Sequence, residues 1–129
     1  MVATQRFLVV RVAGQEFALP ASRIRAMTQA LGLVLTPLEG RGPLRYFVRI
    51  DGTTVSVIVP NAALGLPERP ITCRTCLLLI DERAEAILVD SVSRFEELSP
   101  ACIRSPSRVR LGHKWRTVLD PDHLRPIAA

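Results

Sequence analysis

The sequence predicts an all-β fold, a barrel or a sandwich, and three observations support this prediction. About eight short apolar segments of strand length follow one another along the 129 residues. Most of these segments end at glycine or proline, of which the chain has 7 and 10. The clearest pair of segments, residues 46–59, surrounds an Asp51-Gly52 dipeptide, which is typical of a type I′ hairpin turn.

The first third of the chain is predicted to form a hairpin and a short helix. Residues 7–12 and 15–19 have the composition of strands, and Ala13-Gly14 between them is a turn. Pro20 ends the hairpin. A helix capped by Ser22 is then predicted up to Gly32, with Arg23 and Arg25 facing solvent. The helix is inferred from three apolar residues at helical spacing: Ile24, Met27 and Leu31. Residues 33–38 are predicted to be extended, and residues 39–43 to be a loop.

The 46–59 hairpin is the strongest candidate for a recognition element. Its first arm alternates, so that Tyr46, Val48 and Ile50 are predicted to face a core. Phe47 and Arg49 then lie on the opposite face, with Asp51 at its end. An apolar ring beside opposite charges on an exposed strand is typical of a protein-binding surface.

The remaining elements are short. Asn61 is predicted to cap one helical turn that ends at Gly65. Strands follow at residues 76–81 and 84–89, with an extension at residues 90–98 and a helical turn at 99–103. The last elements are predicted to be an Arg-rich loop, a strand at residues 115–119 and a turn at residues 120–124.

The composition predicts one cytosolic globular domain spanning residues 1–129. The content of apolar residues, 48%, is enough for a sizeable core. The longest apolar run, residues 76–80, is far too short to span a bilayer. The N-terminal residues lack the order of parts found in a signal peptide. The 3 cysteines fit a reducing compartment better than a disulfide framework.

The basic residues suggest an alternative function, nucleic-acid binding. The net charge is +5, and the segment from Arg104 to Arg116 holds basic residues but no acidic one. Small barrels bind single strands with a basic groove and stacking aromatic rings. However, only 5% of the residues are aromatic and Trp115 is the sole Trp, so this alternative ranks below protein binding.

No motif in the sequence indicates catalysis or a cofactor. Cys73 and Cys76 form a C-x-x-C that Cys102, His113 or His123 could extend to a zinc site, but it precedes a strand instead of opening a helix. Neither a G-x-S-x-G elbow nor a phosphate-binding glycine loop is present. We therefore expect a protein that is not an enzyme and that holds no metal or cofactor.

Four segments resemble the CheW-like domain, the adaptor of bacterial chemosensory arrays, and occur in the family's order. Residues 7–24 resemble its opening hairpin, and residues 50–67 its second strand with a Leu-Gly-Leu-Pro end. Residues 75–89 resemble its next hairpin, and residues 89–103 its Val-Asp-x-Val signature. The resemblance covers most of residues 6–103.

The resemblance implies two small SH3-like five-stranded β-barrels packed side by side, intertwined in one domain. It also implies a scaffold in the cytoplasm that links the cytoplasmic tip of methyl-accepting chemoreceptors to the regulatory domain of a CheA-type histidine kinase. Contact with the membrane would be indirect, through the receptors. Ile24, Met27, Phe47 and Arg49 are then candidates for the groove that holds a receptor helix.

The chain departs from the family pattern at three places. The usual turn is Asn-Leu-Arg-Gly, whose Arg is linked to receptor binding, and here Asp51 stands at the Arg position. The usual Asp-Leu-Arg after the second strand is here Val59-Pro60-Asn61, and the C-terminal part is shortened to residues 104–119. These changes suggest a divergent adaptor that keeps one of the two usual partners.

Overall fold

The computed structural model describes residues 3–39, 44–122 and 124. Twelve strands and two one-turn 3₁₀ helices, Ala21–Arg23 and Pro100–Cys102, form the described part. The strands are β1 (Gln5–Val12), β2 (Gln15–Pro20), β3 (Ile24–Gln29), β4 (Thr36–Pro37), β5 (Leu44–Ile50), β6 (Thr53–Ile58), β7 (Cys76–Ile80), β8 (Glu85–Val89), β9 (Ser91–Leu98), β10 (Ile103–Ser105), β11 (Arg108–Leu111) and β12 (Lys114–Thr117).

The strands form two barrels, which confirms the predicted fold class. The central barrel is a six-stranded sheet in the order β3-β7-β8-β6-β5-β4, in which β6 and β8 are parallel. The terminal barrel combines the sheets β2-β1-β9 and β10-β11-β12, joined by a bridge between Ala18 and Val118. Each barrel has five main strands and one short strand, β4 or β10.

Three apolar layers explain why the strand sequences are apolar runs and not simple alternations. Successive residues of β1 face different layers: Val9 lies in the core of the terminal barrel, whereas Leu8 and Val10 lie in a layer between the two barrels. On β7, Leu77 likewise faces the core of the central barrel and Leu78 the layer between the barrels. We call this shared layer the central layer. Its buried members are Leu8, Val10, Val12, Phe17, Leu19, Ile58, Leu78, Ile80, Ile87, Val89, Leu119 and Leu124.

The predicted hairpin turns are confirmed. Ala13 and Gly14 have φ of 51° and 81°, and Asp51 and Gly52 have φ of 50° and 79°, the left-handed pair that a type I′ turn requires. The registers Val12↔Gln15 and Ile50↔Thr53 close the two hairpins with no extra residue.

The helix predicted from Ser22 is wrong. Only Ala21–Arg23 forms a 3₁₀ turn, and Ile24–Gln29 is the edge strand β3. Its pairing with β7, from Ile24↔Ile80 to Gln29↔Cys76, outweighs a weak helical periodicity. Arg23 does not face solvent freely, because it belongs to an ionic cluster described below.

Two further predictions need correction. Asn61 does not cap the turn that ends at Gly65; its side-chain amide donates to the carbonyl of Pro67, 2.7 Å away. The Arg-rich segment is not a loop but contributes β10 and β11, with Val109 and Leu111 buried.

Of the predicted loop at residues 39–43, only Glu39 lies within the described residues, and His123 lies outside them. In the described part, no helix is long and apolar enough to cross a membrane.

An ionic cluster fastens the C-terminal turn to the connection between β2 and β3 and to the turn after β7. Arg23 binds Asp81 through two nitrogens, at 2.9 Å from Nε and 2.8 Å from Nη2 to Oδ2. Asp122 lies 2.6 Å from Nη2 of Arg83 and 3.5 Å from Nη1 of Arg23. The hydrogen bond from Arg23 is the main cause that lowers the pKa of Asp81, and that from Arg83 does the same for Asp122. Two residues beyond Asp122, Leu124 packs into the central layer.

We predict that the two barrels unfold together, because they share the central layer. Leu78→Ala removes a buried side chain of the central barrel and is expected to lower the free energy of unfolding by about 2–5 kcal/mol. The fluorescence of Trp115, which lies in the terminal barrel, should report the same lowered midpoint in denaturant as far-UV circular dichroism. Leu31→Ala, at an exposed leucine, is the control and should have little effect. An unchanged midpoint of the Trp115 signal would show that the barrels unfold separately.

We predict that Asp81→Asn weakens the protein in a pH-dependent way. The pKa of Asp81 is lower in the folded state than in the unfolded state, where it is about 4. The ion pair therefore stabilises the protein fully above the unfolded-state pKa, and this stabilisation is lost as the pH falls through the folded-state pKa. The free energy of unfolding of the variant should be about 1 kcal/mol lower than that of the unmodified protein at neutral pH. In acid the two proteins should be equally stable. Thermal unfolding across a pH series measures this, with the exposed neighbour Glu82→Gln as control. A difference that is constant with pH would contradict an ionic role.

Candidate partner-binding surface

The edge strand β3 and the loop after it carry exposed apolar side chains. Met27, Leu31 and Val34 are 46%, 57% and 80% exposed. We call these three residues the apolar strip. Ile24 differs from them, since it is half-buried and packs against the central layer. Met27 therefore offers apolar surface to a partner, whereas Ile24 mainly supports the contact between the barrels.

The sequence predicted Met27 as a site residue but missed Leu31 and Val34. Leu31 was assigned to a helix face that does not exist. Val34 lies between Leu33 and Leu35, which both pack against the core of the central barrel. This alternation directs Val34 outward, but residues 33–35 are all apolar, so no pattern in the sequence distinguishes Val34 from its neighbours.

The β5–β6 hairpin presents the face that its alternation predicts. Tyr46, Val48 and Ile50 belong to the central-barrel core or pack against it. Phe47 and Arg49 point the other way, opposite Ser56 and Thr54 on β6. Phe47 is half-buried and Arg49 is exposed. The face thus offers one aromatic ring and one guanidinium, with the hydroxyl groups of β6 beside them.

Asp51 lies at the tip of this hairpin, exposed and with positive φ. Asp, Asn and Gly adopt this left-handed conformation most readily. A Cβ built on Gly52 would meet no atom within 4 Å, so the tip is open to solvent. The side chain at position 51 is therefore available to a partner.

The predicted site residues fall into two groups. Phe47, Arg49 and Asp51 share the β5–β6 hairpin, whereas Ile24 and Met27 share β3. Three strands, β7, β8 and β6, lie between β3 and β5 in the hydrogen-bonded order. The two groups are therefore not neighbours within the sheet.

An open cleft of about 460 Å³ lies where β3 ends and the two barrels meet. Gln29 lines it from β3, two residues beyond Met27, and Arg11 lines it from β1. Its other residues come from β9, from the segment before β7 and from the first residue of β7: Ser91, Val92, Ser93, Cys73, Arg74 and Cys76. The cleft adjoins the apolar strip, and its lining adds polar and cationic groups to this surface.

Of the two cysteines in this cleft, Cys76 has the character of a structural thiol. Cys73 is exposed and Cys76 is partly buried, and burial raises the pKa of the Cys76 thiol. A reactive thiol has a lowered pKa. Within residues 3–39, 44–122 and 124, no three His, Cys, Asp or Glu side chains are grouped so that they could hold a metal ion.

Comparison with known proteins identifies the sequence pattern and the fold. The model of the family described as CheW-like domain matches residues 6–120. The structure is similar to the crystal structure of the scaffolding protein TtCheW from Thermoanaerobacter tengcongensis, with a TM-score of 0.79 and 12% sequence identity. The alignment covers 92% of this chain and 90% of that one. No curated protein matches the sequence.

We predict that a β-branched residue at the hairpin tip destabilises the protein, because the backbone there is left-handed. Asp51→Val places a β-branched residue at positive φ and should lower the free energy of unfolding by about 1–2 kcal/mol. Asp51→Asn should be nearly neutral, because Asn adopts this conformation. Denaturant unfolding of both variants tests this, with Thr53→Val on β6 as a matched exposed control. Equal loss of stability in all three variants would contradict the assigned backbone constraint.

Proposed function

Because the chain belongs to the CheW-like domain family, we propose that it is a chemotaxis adaptor that acts by binding and not by catalysis. The observation that carries this proposal is the family match over residues 6–120, on a structure with the two barrels of that fold. In this proposal the adaptor works in the cytoplasm, within a chemoreceptor array. Its contact with the membrane is indirect and passes through the receptors.

The proposed partners are the cytoplasmic tip of a methyl-accepting chemoreceptor and the regulatory domain of a CheA-type histidine kinase. The receptor tip is helical, and an amphipathic helix docks by placing apolar anchors against a groove. The exposed Met27, Leu31 and Val34 supply apolar surface of this kind, and the cleft at Gln29 lies next to it between the barrels. These features support a receptor site on this side of the molecule.

The β5–β6 hairpin is the proposed determinant of partner choice. Phe47 and Arg49 lie on its outward face, and Asp51 is exposed at its tip. Asp51 stands where the family has an Arg linked to receptor binding. A partner surface that is suited to this Arg would meet Asp51 with a like charge, and like charges that face each other disfavour a complex. We therefore propose that this member keeps the kinase contact and has a weakened contact with standard receptors.

A pull-down with receptor and kinase fragments tests this proposal. The unmodified protein should retain the kinase fragment and bind the receptor fragment weakly. Asp51→Arg should strengthen receptor binding by about tenfold, as expected for one restored charge contact, and should leave kinase binding unchanged. Adding Met27→Glu to Asp51→Arg should remove this gain, because it places a charge within the apolar strip.

Asp51→Asn is the matched control, since it removes the negative charge but keeps the backbone conformation. It should give a receptor affinity between those of the unmodified protein and Asp51→Arg. Tight and equal binding of the unmodified protein to both fragments would contradict the loss of one contact. Binding to neither fragment would overturn the adaptor proposal itself.

A further inference from the structure

The outward face of the sheet β10-β11-β12 is basic. In the register of β11 and β12, Arg110 lies opposite Trp115, and Arg108 lies opposite Thr117. Residues opposite each other point to the same side of a sheet. Val109 and Leu111 fill the core of the terminal barrel, so Arg108, Arg110 and Trp115 point away from it.

Arg104 joins this face from β10. Its neighbour Ile103 pairs with Val109 and packs against the terminal-barrel core, which directs Arg104 outward. The Arg104 guanidinium lies 4.2 Å from the centroid of the Trp115 ring. Arg104, Arg108, Arg110 and Trp115 therefore form one continuous surface, which we call the basic face.

The arginines of the basic face have no carboxylate partner in the part of the chain that the structure describes. Arginines elsewhere form ion pairs, such as Arg23 with Asp81 and Arg94 with Glu16. No ion pair involves Arg104, Arg108 or Arg110 among the described residues, and the sequence from Ile103 to Leu119 holds no Asp or Glu. The three charges are exposed and uncompensated, so they complement an acidic surface.

We propose that the basic face binds an extended, acidic segment of a partner protein. Arg108 and Arg110 are two residues apart on one strand, which separates them by about 6.6 Å. An extended peptide with Asp or Glu at alternate positions repeats its carboxylates at this same spacing. Each guanidinium can then take one carboxylate in the paired geometry that arginine favours.

The surface is less suited to nucleic acid. Single-stranded nucleic acid binds to small barrels by stacking bases on free aromatic rings. Trp115 is the sole Trp of the chain, and the guanidinium of Arg104 already covers one face of its ring. The basic face is separate from the apolar strip and the β5–β6 hairpin, so it adds a third contact to those of the proposed adaptor.

Trp115 provides the readout for a test, because its fluorescence comes from within the basic face. The full chain is titrated at low salt with a peptide of alternating Glu and Ser, with a peptide of the same composition in two blocks, and with oligodeoxythymidylate of equal charge. The alternating peptide should change the Trp115 emission and bind most tightly. Arg108→Gln with Arg110→Gln should weaken this binding by about tenfold, as expected for two lost surface ion pairs.

The matched control is Arg25→Gln with Arg69→Gln, which removes the same charge at exposed sites on the central barrel and the segment before β7. This control should bind the alternating peptide with an affinity within about twofold of that of the unmodified protein. Equal weakening by both double variants would mean attraction by net charge alone and would overturn the proposal. Tighter binding of the oligonucleotide, or no binding of the alternating peptide, would overturn it as well. The Arg104–Trp115 contact is kept in every variant, so the emission of the free protein confirms that the sheet is intact.

Discussion

The shared apolar layer between the barrels is the constraint on which the rest of the structure depends. Strands β1, β2, β7 and β8 bury side chains on both of their faces, one toward a barrel core and one toward the central layer. Such strands leave no whole face for a partner, and β1 and β7 reach the cleft only through Arg11 and Cys76, each near a strand end. The proposed recognition surfaces therefore lie at the margins of the molecule: the edge strand β3 with the cleft beside it, the β5–β6 hairpin and the outward face of β10–β12.

These margins are held by rigid elements, which favours binding without rearrangement. The backbone of the Asp51-Gly52 turn is fixed by the hairpin register, and the apolar strip begins on a strand paired with β7. The ionic cluster around Arg23 holds the connection from β2 to β3 against the turn after β7. A surface that is already ordered loses less conformational entropy when a partner binds.

The sequence predicts those parts of the fold that follow from local chemistry. The Asp51-Gly52 turn and the two faces of β5 were predicted correctly, because turn type and alternation are set by neighbouring residues. The strand β3 was not predicted, because residues 24–29 include the good helix formers Ala26 and Met27. The pairing of β3 with β7 is a long-range contact that neighbouring residues do not reveal. In β11, the alternation of Arg108, Val109, Arg110 and Leu111 was a sufficient strand signal, but the charge led to a loop prediction. Which apolar side chains remain exposed depends on which strand forms the sheet edge, and the sequence alone does not encode this in any local pattern.

The order of the strands has a consequence for synthesis on the ribosome. The central barrel is built from one continuous stretch, β3 to β8, whereas the terminal barrel needs β1 and β2 from the start of the chain and β9 to β12 from its end. The middle of the polypeptide can thus acquire its sheet while the rest is still being made. The first hairpin must wait, with one apolar face uncovered, until its late partners emerge. The terminal barrel is completed only when β9 to β12 meet the first hairpin.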